Sequence, residues 1–264
     1  WDLPSQIRNR YLKYCFSHSI RCYMSPKISD IILLGTDRIH LFDTPLLMCR
    51  NQGLSMEQRA AKRVLDIIVS GLGIIVSSPI MLIIAIAVKA YDGGPVFYLQ
   101  DRLTYQGKEF RIRKFRSMCV DSEKNGARLA SKHDSRITPV GHVLRNLHLD
   151  ELPQLFNVFM GDMSLVGPRP ERDVIMQEYE QEIPEFHYRL KVKAGLTGYA
   201  QVYGKYNTTP YDKLKLDLFY IENYSFLLDI KLLFMTVKIF FQKEVSEGVD
   251  DNQKNALKDS EDKK

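Results

Sequence analysis

The stretch Asn146–Arg172 has the sequence NLHLDELPQLFNVFMGDMSLVGPRPER and joins an acidic pair, an apolar run and a proline-rich turn. The acidic pair is Asp150–Glu151, and the turn is Gly-Pro-Arg-Pro at Gly167–Pro170. Prolines restrict the backbone on both sides of Arg169, and a guanidinium group can hold a phosphate through two hydrogen bonds. Carboxylates near such an arginine suit a site that holds a metal-bound diphosphate and attacks it.

The acidic pair has a structural and a chemical interpretation. Asp150 suits the N-cap of a helix, with Glu151 in the first turn and Pro153 at a position where its missing N–H costs little. The helix N-terminus then keeps both carboxylates ionised. In the chemical interpretation, an ionised Asp attacks phosphorus while a Glu binds Mg²⁺. Because neighbouring helical residues point about 100° apart, two separate roles fit better than one shared acid–base role. The pair alone leaves both interpretations open.

A long apolar segment, Ile67–Val88, precedes this stretch in the chain. As a helix it would reach about 33 Å, roughly the thickness of a bilayer core. It could span the membrane, enter and leave on one face, or lie buried in a soluble protein. Pro79 removes a backbone hydrogen bond and Ser78 can satisfy the freed group, so we expect a bend. Basic residues flank both ends, which fits two cytoplasmic ends, but kinked spanning helices are common and the segment alone favours spanning.

Alternating residues after the apolar segment predict a β-hairpin. Val96–Leu99 and Glu109–Met118 are the predicted strands, joined at Tyr105–Lys108. Lys114 and Arg116 lie at the end of the second strand. On the local pattern these cations suit an anion site and a solvated face equally well.

Capping signals and periodicity predict several helices. Ser55, with Gln58 three residues later, forms a capping box that opens a helix before the apolar segment. Other predicted helices open at Thr138–Gly141 or cover Pro210–Tyr220 and Ser225–Phe241. The last is too charged to span a membrane comfortably and suits the membrane interface, with a core helix as the alternative.

Two further polar features have no firm assignment. Gly195 and Gly198 predict a loop flanked by Lys191 and Lys193, which either brings the backbone close to a ligand or simply turns the chain. The histidines near Arg145 complete no catalytic triad and no metal set, so we leave them out of the chemistry.

Composition excludes some classes of protein. Hydrophobic residues make up 45% of the 264 residues, which excludes a disordered chain. Lys plus Arg (37) exceed Asp plus Glu (32), and the net charge of +5 is compatible with anionic lipid, nucleotide or nucleic acid. The four cysteines have no CxxC or Cys/His metal spacing, which favours reduced thiols on a cytoplasmic face over disulfides or zinc.

The two ends of the chain differ from its centre. Residues 1–52 contain short apolar runs at Ile31–Leu34, Ile39–Phe42 and Thr44–Leu47, which predict two or three strands. These are too few for a stable sheet and Trp1 is not a natural start, so we expect 1–52 to be the remnant of an upstream domain and a linker. We expect 53–245 to be a membrane-anchored domain and 246–264 to be a polar, disordered tail.

Several motifs then occur in a fixed order. They are Ser78-Pro79, KFRSM at Lys114–Met118, LDELPQLFNV at Leu149–Val158, GDMSLVGPRP at Gly161–Pro170 and KAGLTGYAQV at Lys193–Val202. With these motifs the chain closely resembles the bacterial sugar transferases, and among them the catalytic domain of the large monotopic phosphoglycosyl transferases. The resemblance covers about Gln58–Phe241. It is weaker over the first fifty residues, which look like the end of the extra domain of large members.

The resemblance implies an activity and two catalytic residues. Such enzymes transfer a sugar-1-phosphate from a UDP-sugar to undecaprenyl phosphate, release UMP, and initiate the synthesis of exopolysaccharide, capsule, O-antigen or glycoconjugates. They work at the cytoplasmic face of the bacterial inner membrane. The matching positions imply that Asp150 forms a phosphosugar-aspartyl intermediate and that Glu151 helps to bind Mg²⁺.

The resemblance also implies the substrate-binding residues and the membrane topology. The residues expected to hold phosphates, or to shape the turn that does so, are Lys114, Arg116, Arg145, Pro168 and Arg169. The family's membrane segment is re-entrant and bends at the matching Ser78-Pro79, which reverses the preference for a spanning helix. The expected fold is therefore α+β: a monotopic membrane protein with a re-entrant helix-break-helix anchor, a small β-hairpin or sheet, and interfacial amphipathic helices.

Some properties are left open by the motifs. They do not identify the sugar, and family members often have Thr-Ser where this chain has Leu147-His148. Large members can pair through the upstream domain, so a homo-oligomer is allowed, and we expect no nucleic-acid partner. The rivals are a non-catalytic, membrane-anchored module that binds anionic lipid or a partner, and a polyprenyl glycosyl transferase that moves the sugar without its phosphate.

Overall fold

A computed structural model of the protein describes residues 3–49, 53–120, 134–205 and 208–240. The predicted tail at 246–264 lies outside these residues. The α-helices are α1 (Ser5–Ser17), α2 (Ile28–Leu34), α3 (Met56–Asp92), α4 (Pro139–Asn146), α5 (Gln154–Met160), α6 (Asp173–Glu182), α7 (Tyr199–Tyr203), α8 (Pro210–Glu222) and α9 (Phe226–Phe240). The strands are β1 (Asp37–Leu41), β2 (Thr44–Met48), β3 (Phe97–Leu103), β4 (Glu109–Phe115), β5 (Ser164–Val166) and β6 (Gly195–Thr197). The predicted α+β class is confirmed.

The longest element is α3, which has 37 residues. Its N-terminus has the predicted capping box, since Gln58 N–H donates to Ser55 Oγ at 3.2 Å and Ser55 N–H donates to Gln58 Oε1 at 2.9 Å. Gly93 ends the helix in the left-handed conformation, with φ 70°. By length and composition, α3 is the one helix among the described residues that could cross a membrane.

Serine hydroxyls satisfy the backbone of α3 around its internal proline. Pro79 has no N–H to donate to the carbonyl of Ile75, four residues earlier. Ser78 Oγ donates to that carbonyl at 2.8 Å, and Ser77 Oγ donates to Gly73 O at 2.6 Å. The helix therefore continues through Pro79, and the choice between a spanning and a re-entrant course stays a prediction.

The N-terminal residues correct one expectation and confirm another. The strand expected at Ile31–Leu34 is wrong, because Ile28–Leu34 forms α2. Lys27 N–H donates to Asp30 Oδ2 at 2.9 Å at the start of this helix, and its buried isoleucines pack into the main hydrophobic cluster. The two following runs form the antiparallel hairpin β1–β2. The domain boundary at residue 52 stays a prediction.

The residues that the structure describes form three two-stranded sheets, of which β1–β2 is described above. The predicted hairpin is present as antiparallel β3–β4, in which Phe97 lies opposite Phe115. The third sheet pairs β5 with β6 in parallel, with Ser164 beside Gly195. Gly195 therefore lies in a short strand, whereas the sequence predicted a loop at this position.

Buried polar groups join α3 to the core. Lys62 Nζ contacts Asp229 Oδ2 at 2.6 Å and Tyr220 Oη at 3.0 Å, and all three side chains are buried. Asp229 lies on α9, whose Leu232 is fully buried while its Phe234 is 74% exposed. The last helix thus packs one side against the core and leaves an apolar side open. Its placement at a membrane interface stays a prediction.

Candidate active site

The acidic pair lies in a 3-10 turn rather than at the start of an α-helix. Leu149–Glu151 form this turn after His148, whose φ of 53° is left-handed. The following helix, α5, begins only at Gln154, after Pro153 at its N-cap. The prediction that Asp150 caps a helix is therefore wrong, because the left-handed residue and the tight turn take the place of the expected first helical turn.

Glu151 lies between two cations that come from different elements. Lys114 Nζ, at the end of β4, is 2.6 Å from Glu151 Oε1, and Arg169 Nη2, in the Gly-Pro-Arg-Pro turn, is 2.9 Å from the same oxygen. Burial alone would raise the pKa of Glu151, but Arg169 and Lys114 outweigh it and hold that pKa well below its usual range. Glu151 therefore stays ionised at physiological pH.

Asp150 is the more buried member of the pair, with 9% of its surface exposed. Burial raises its pKa, Lys114 and Arg145 lower it, and the charge of Glu151 raises it. The helix N-terminus that was expected to favour the ionised form of Asp150 is absent, because α5 begins only at Gln154. A poorly solvated carboxylate near these cations suits attack on a phosphate whose negative charge the cations neutralise.

The structure places the two remaining predicted cations differently. Arg145, on α4, acts on the charge of Asp150, and its Nε donates to Ser117 Oγ at 2.9 Å. Arg116 pairs with Asp92 at the end of α3. Lys114, Arg145 and Arg169 therefore surround the acidic pair, whereas Arg116 ties β4 to the end of the long helix.

Backbone contacts fix the turn that carries Arg169. Gly195 N–H donates to Pro168 O at 2.9 Å, and Arg189 Nη2 donates to Arg169 O at 3.0 Å. Arg189 is buried and pairs with Asp217 of α8 at 2.8 Å. Pro168 thus helps to aim Arg169 by shaping its turn. Neither Arg189 nor Asp217 was predicted from the sequence, since neither lies in a motif that distinguishes it.

A buried carboxylate ties the long helix to the same turn. Asp66 Oδ1 accepts hydrogen bonds from Leu165 N–H at 2.9 Å and from Ser164 Oγ at 3.0 Å. These two residues belong to β5, which leads directly into Gly167. Asp66 was not predicted from the sequence either. Its position next to a long apolar segment could have indicated its role, because carboxylates at such positions normally have a partner.

The carboxylates fit a Mg²⁺ ion that arrives with a diphosphate. Mg²⁺ commonly uses one or two carboxylates together with phosphate oxygens and waters. Lys114 and Arg169 share Glu151 Oε1, which leaves Oε2 as the donor for a metal. The described residues contain no cluster of three or more His, Cys, Asp or Glu side chains that could hold an ion alone. The site therefore suits a metal that the substrate helps to hold.

The family model for bacterial sugar transferases matches residues 57–243, which include α3 and the whole arrangement around Asp150. The chain belongs to the bacterial sugar transferase family. Its membership explains why the acidic pair, the basic strand end and the Gly-Pro-Arg-Pro turn occur together.

Several curated relatives of this family are similar to the chain. A UDP-N-acetylgalactosamine-undecaprenyl-phosphate N-acetylgalactosaminephosphotransferase from Aeromonas hydrophila is 44% identical over 232 residues, 87% of this chain and 54% of the relative. A UDP-glucose:undecaprenyl-phosphate glucose-1-phosphate transferase from Klebsiella pneumoniae is 43% identical over 77% of this chain and 43% of the relative. An undecaprenyl-phosphate galactose phosphotransferase from Salmonella typhimurium is 36% identical over 83% of this chain and 49% of the relative. The chain spans about half the length of these relatives.

Proposed function

We propose that this bacterial sugar transferase moves a sugar-1-phosphate from a UDP-sugar to undecaprenyl phosphate and releases UMP. The product would initiate a polysaccharide or glycoconjugate. The observation that carries the proposal is the buried Asp150 next to Glu151, whose carboxylate is held by Lys114 and Arg169. The printed activities of the relatives support the same substrates.

The proposed reaction has two displacements at one phosphorus atom. An oxygen of ionised Asp150 forms a bond to the phosphorus next to the sugar, while the bond from that phosphorus to UMP breaks. A phosphate oxygen of undecaprenyl phosphate then attacks the same phosphorus, and the bond to Asp150 breaks. The covalent intermediate lets one site receive a water-soluble donor and a lipid acceptor in turn.

The charged side chains around Asp150 have separate proposed roles. Arg169 and Lys114 bind oxygens of the diphosphate. The positive charge of Arg145 lowers the pKa of Asp150 and so favours its ionised form. Bidentate geometry is the reason for arginine at such positions. Glu151 and the diphosphate hold Mg²⁺, which neutralises charge on the leaving group when it is bound.

The proposed location is the cytoplasmic face of the bacterial inner membrane, with residues 67–88 as a re-entrant anchor. The exposed apolar side chains of α3, such as Leu72, Val76 and Ile83, support contact with lipid. The hydroxyl of Ser78 supports a bend within that lipid, since it donates to the Ile75 carbonyl that Pro79 leaves without its backbone partner.

The test is turnover by membrane-embedded protein with Mg²⁺, undecaprenyl phosphate and UDP-sugars. UDP-N-acetylgalactosamine, UDP-glucose and UDP-galactose come first, because the relatives act on these sugars by name. UMP release with one of them is expected. Release of UDP would favour the polyprenyl glycosyl transferase, and no turnover with any sugar would favour the binding module.

The covalent step is tested by mass spectrometry after mixing with donor alone. A sugar-phosphate adduct on wild type, and none on Asp150→Asn, is expected because an amide is a poor nucleophile. Asp212→Asn, at an ion-paired carboxylate of α8, is the matched control and should keep the adduct. An adduct on Asp150→Asn would remove Asp150 from the role of nucleophile.

A further inference from the structure

A shallow groove lies along the last turns of α3 where the chain enters β3. It has a volume of about 390 Å³ and is lined by Ala85, Ile86, Lys89, Ala90 and Val96. Ile86 is 61% exposed although it is apolar. The volume falls in the range of small-molecule sites, about 300–1,000 Å³. The groove thus offers an apolar surface with one cation at its edge.

Lys89, the cation at the edge of the groove, can bind an anion. Lys89 Nζ donates to Gly93 O at 2.7 Å and lies 3.4 Å from Gly94 O. An ammonium group has three N–H donors, and the Lys89 side chain is exposed. It can therefore bind an oxygen of a phosphate while it keeps its contact with the end of α3.

A second cation, Arg116, lies next to Gly94, whose carbonyl is near Lys89. One nitrogen of Arg116 pairs with Asp92, whereas Nη1 is buried and has no hydrogen-bond partner among the residues that the structure describes. A Cβ on Gly94 would lie 2.2 Å from Nη1, so the glycine makes room for this guanidinium group. The Val120 side chain lies beside the same position, with its Cγ2 3.0 Å from that Cβ. An unpaired buried donor favours an incoming acceptor.

The groove adjoins the packing that holds the acidic pair. Ala85 and Val96, which line the groove, pack against the same hydrophobic cluster as Leu149, the residue before Asp150. Arg116 is also followed by Ser117, which accepts a hydrogen bond from Arg145. The groove and the turn that carries Asp150 therefore pack against one hydrophobic cluster.

We propose that the groove binds the first isoprene units of the polyprenyl phosphate acceptor, with Lys89 and Arg116 holding its phosphate. The acceptor role rests on the proposed function. The groove continues the apolar surface of residues 67–88, so a hydrocarbon chain enters it from the membrane. Lys89 and Arg116 carry two positive charges and Asp92 carries one negative charge, so one net positive charge is left for the phosphate. A UDP-sugar has no hydrocarbon chain and gains nothing from an apolar groove.

The kinetic test separates the acceptor from the donor. Ala90→Trp fills the groove, and Leu82→Trp, at a 63% exposed position of α3 that does not line it, is the matched control. Ala90→Trp should raise the KM for polyprenyl phosphate about tenfold, since it removes most of the apolar contact. Exchange of labelled UMP into UDP-sugar, which needs no acceptor, should keep its rate. An unchanged acceptor KM would overturn the proposal.

Charge is tested with conservative pairs. Lys89→Gln should raise the acceptor KM about tenfold, and Lys89→Arg should restore most of it, because a charged hydrogen bond is lost and then replaced. Arg116→Lys can keep the pair with Asp92 but loses the second nitrogen, so it should raise the same KM. Equal effects of these variants on acceptor KM and on UMP exchange would indicate a structural role and overturn the proposal.

Direct binding keeps the groove testable even without turnover. A diazirine analogue of polyprenyl phosphate, photolysed on membrane-embedded protein, should label residues 85–96, and polyprenyl phosphate should compete better than phosphatidylglycerol. Labelling elsewhere, or equal competition by phosphatidylglycerol, would reject the groove as an acceptor site. Labelling in a protein that exchanges no UMP would leave the groove in place and refute the proposed function alone.

Discussion

Replacement of Lys62 by Met should destabilise the protein strongly. Lys62 on α3 and Asp229 on α9 have side chains that are 8% and 1% exposed, and their charged atoms are 2.6 Å apart. Loss of one partner from a buried ion pair costs about 3–5 kcal/mol, because the other charge stays buried without compensation. Tyr220 Oη still donates to Asp229 Oδ1 at 2.7 Å, so we expect the lower end, about 3 kcal/mol.

The assay is thermal unfolding in detergent, followed by circular dichroism. At about 2–4 °C per kcal/mol for a domain of this size, the Tm of Lys62→Met should fall by about 6–12 °C. Lys108→Met removes an exposed lysine of the β3–β4 connection and should change the Tm by less than about 2 °C. This comparison separates the loss of the buried pair from the loss of a positive charge.

The double variant completes the thermodynamic cycle. Lys62→Met with Asp229→Leu replaces both charges by apolar groups of similar size, which is often neutral or stabilising. It should therefore regain most of the lost Tm. A Lys62→Met protein within about 2 °C of wild type, or a double variant less stable than both single variants, would refute the assignment of a buried, mutually compensating pair.

Four further predictions concern the helix that packs on the site, the proposed nucleophile and the anchor. Gly141→Ala should lower stability by about 1–3 kcal/mol, since its Cβ would lie 1.9 Å from Ser117 O; a higher Tm, as helix propensity alone would give, contradicts this. In the proposed mechanism the Asp150 carboxylate must be ionised to attack, and burial raises its pKa, so UMP release should fall on acidification at a higher pH than for an exposed aspartate. Lys114→Met removes a charge that lowers this pKa and should move the acid limb of the pH profile upward; an unmoved or lowered limb would count against it. Pro79→Ala should shift the membrane segment toward a spanning course, which cysteine accessibility on both faces measures, and an unchanged labelling pattern would argue against the bend.

Local sequence signals predicted the elements whose stabilising contacts lie within a few residues. The capping box of Ser55 and Gln58 is present, and Thr138 Oγ1 accepts from Gly141 N–H at 2.9 Å at the predicted start of α4. The β3–β4 hairpin is likewise formed by neighbouring segments. In each case the backbone groups that need partners find them nearby, so the pattern in the sequence is sufficient.

Two errors arose where tertiary contacts decide between local alternatives. Ile31–Leu34 has the composition of a strand, yet Ile31 is fully buried on a helix that packs against α8. Asp150 is a residue type that often caps a helix, yet it lies in a 3-10 turn that follows the left-handed His148. A single-sequence pattern contains no information about which neighbouring element covers these residues.

The buried charge pairs were beyond prediction for a different reason. Lys62 and Asp229 are 167 positions apart, and Arg189 meets Asp217 through a contact that no motif encodes. Arg169, in contrast, was predicted from its motif, and the structure brings it to Glu151. The sequence thus indicated the charged groups around the acidic pair more readily than the buried groups that hold them in place.

The close approach of Gly167, which follows β5, to Gly195 of β6 limits how this chain can be recombined with its relatives in the laboratory. A Cβ on Gly167 would lie 2.3 Å from Lys193 O, and a Cβ on Gly195 would lie 2.1 Å from Gly167 N. Each backbone segment therefore leaves no room for a side chain on the glycine of the other. A chimera designed to exchange sugar preference between relatives should take residues 161–170 and 193–198 from the same parent, together with the aspartate at position 66. Crossovers placed between these segments would join surfaces that were shaped for different partners.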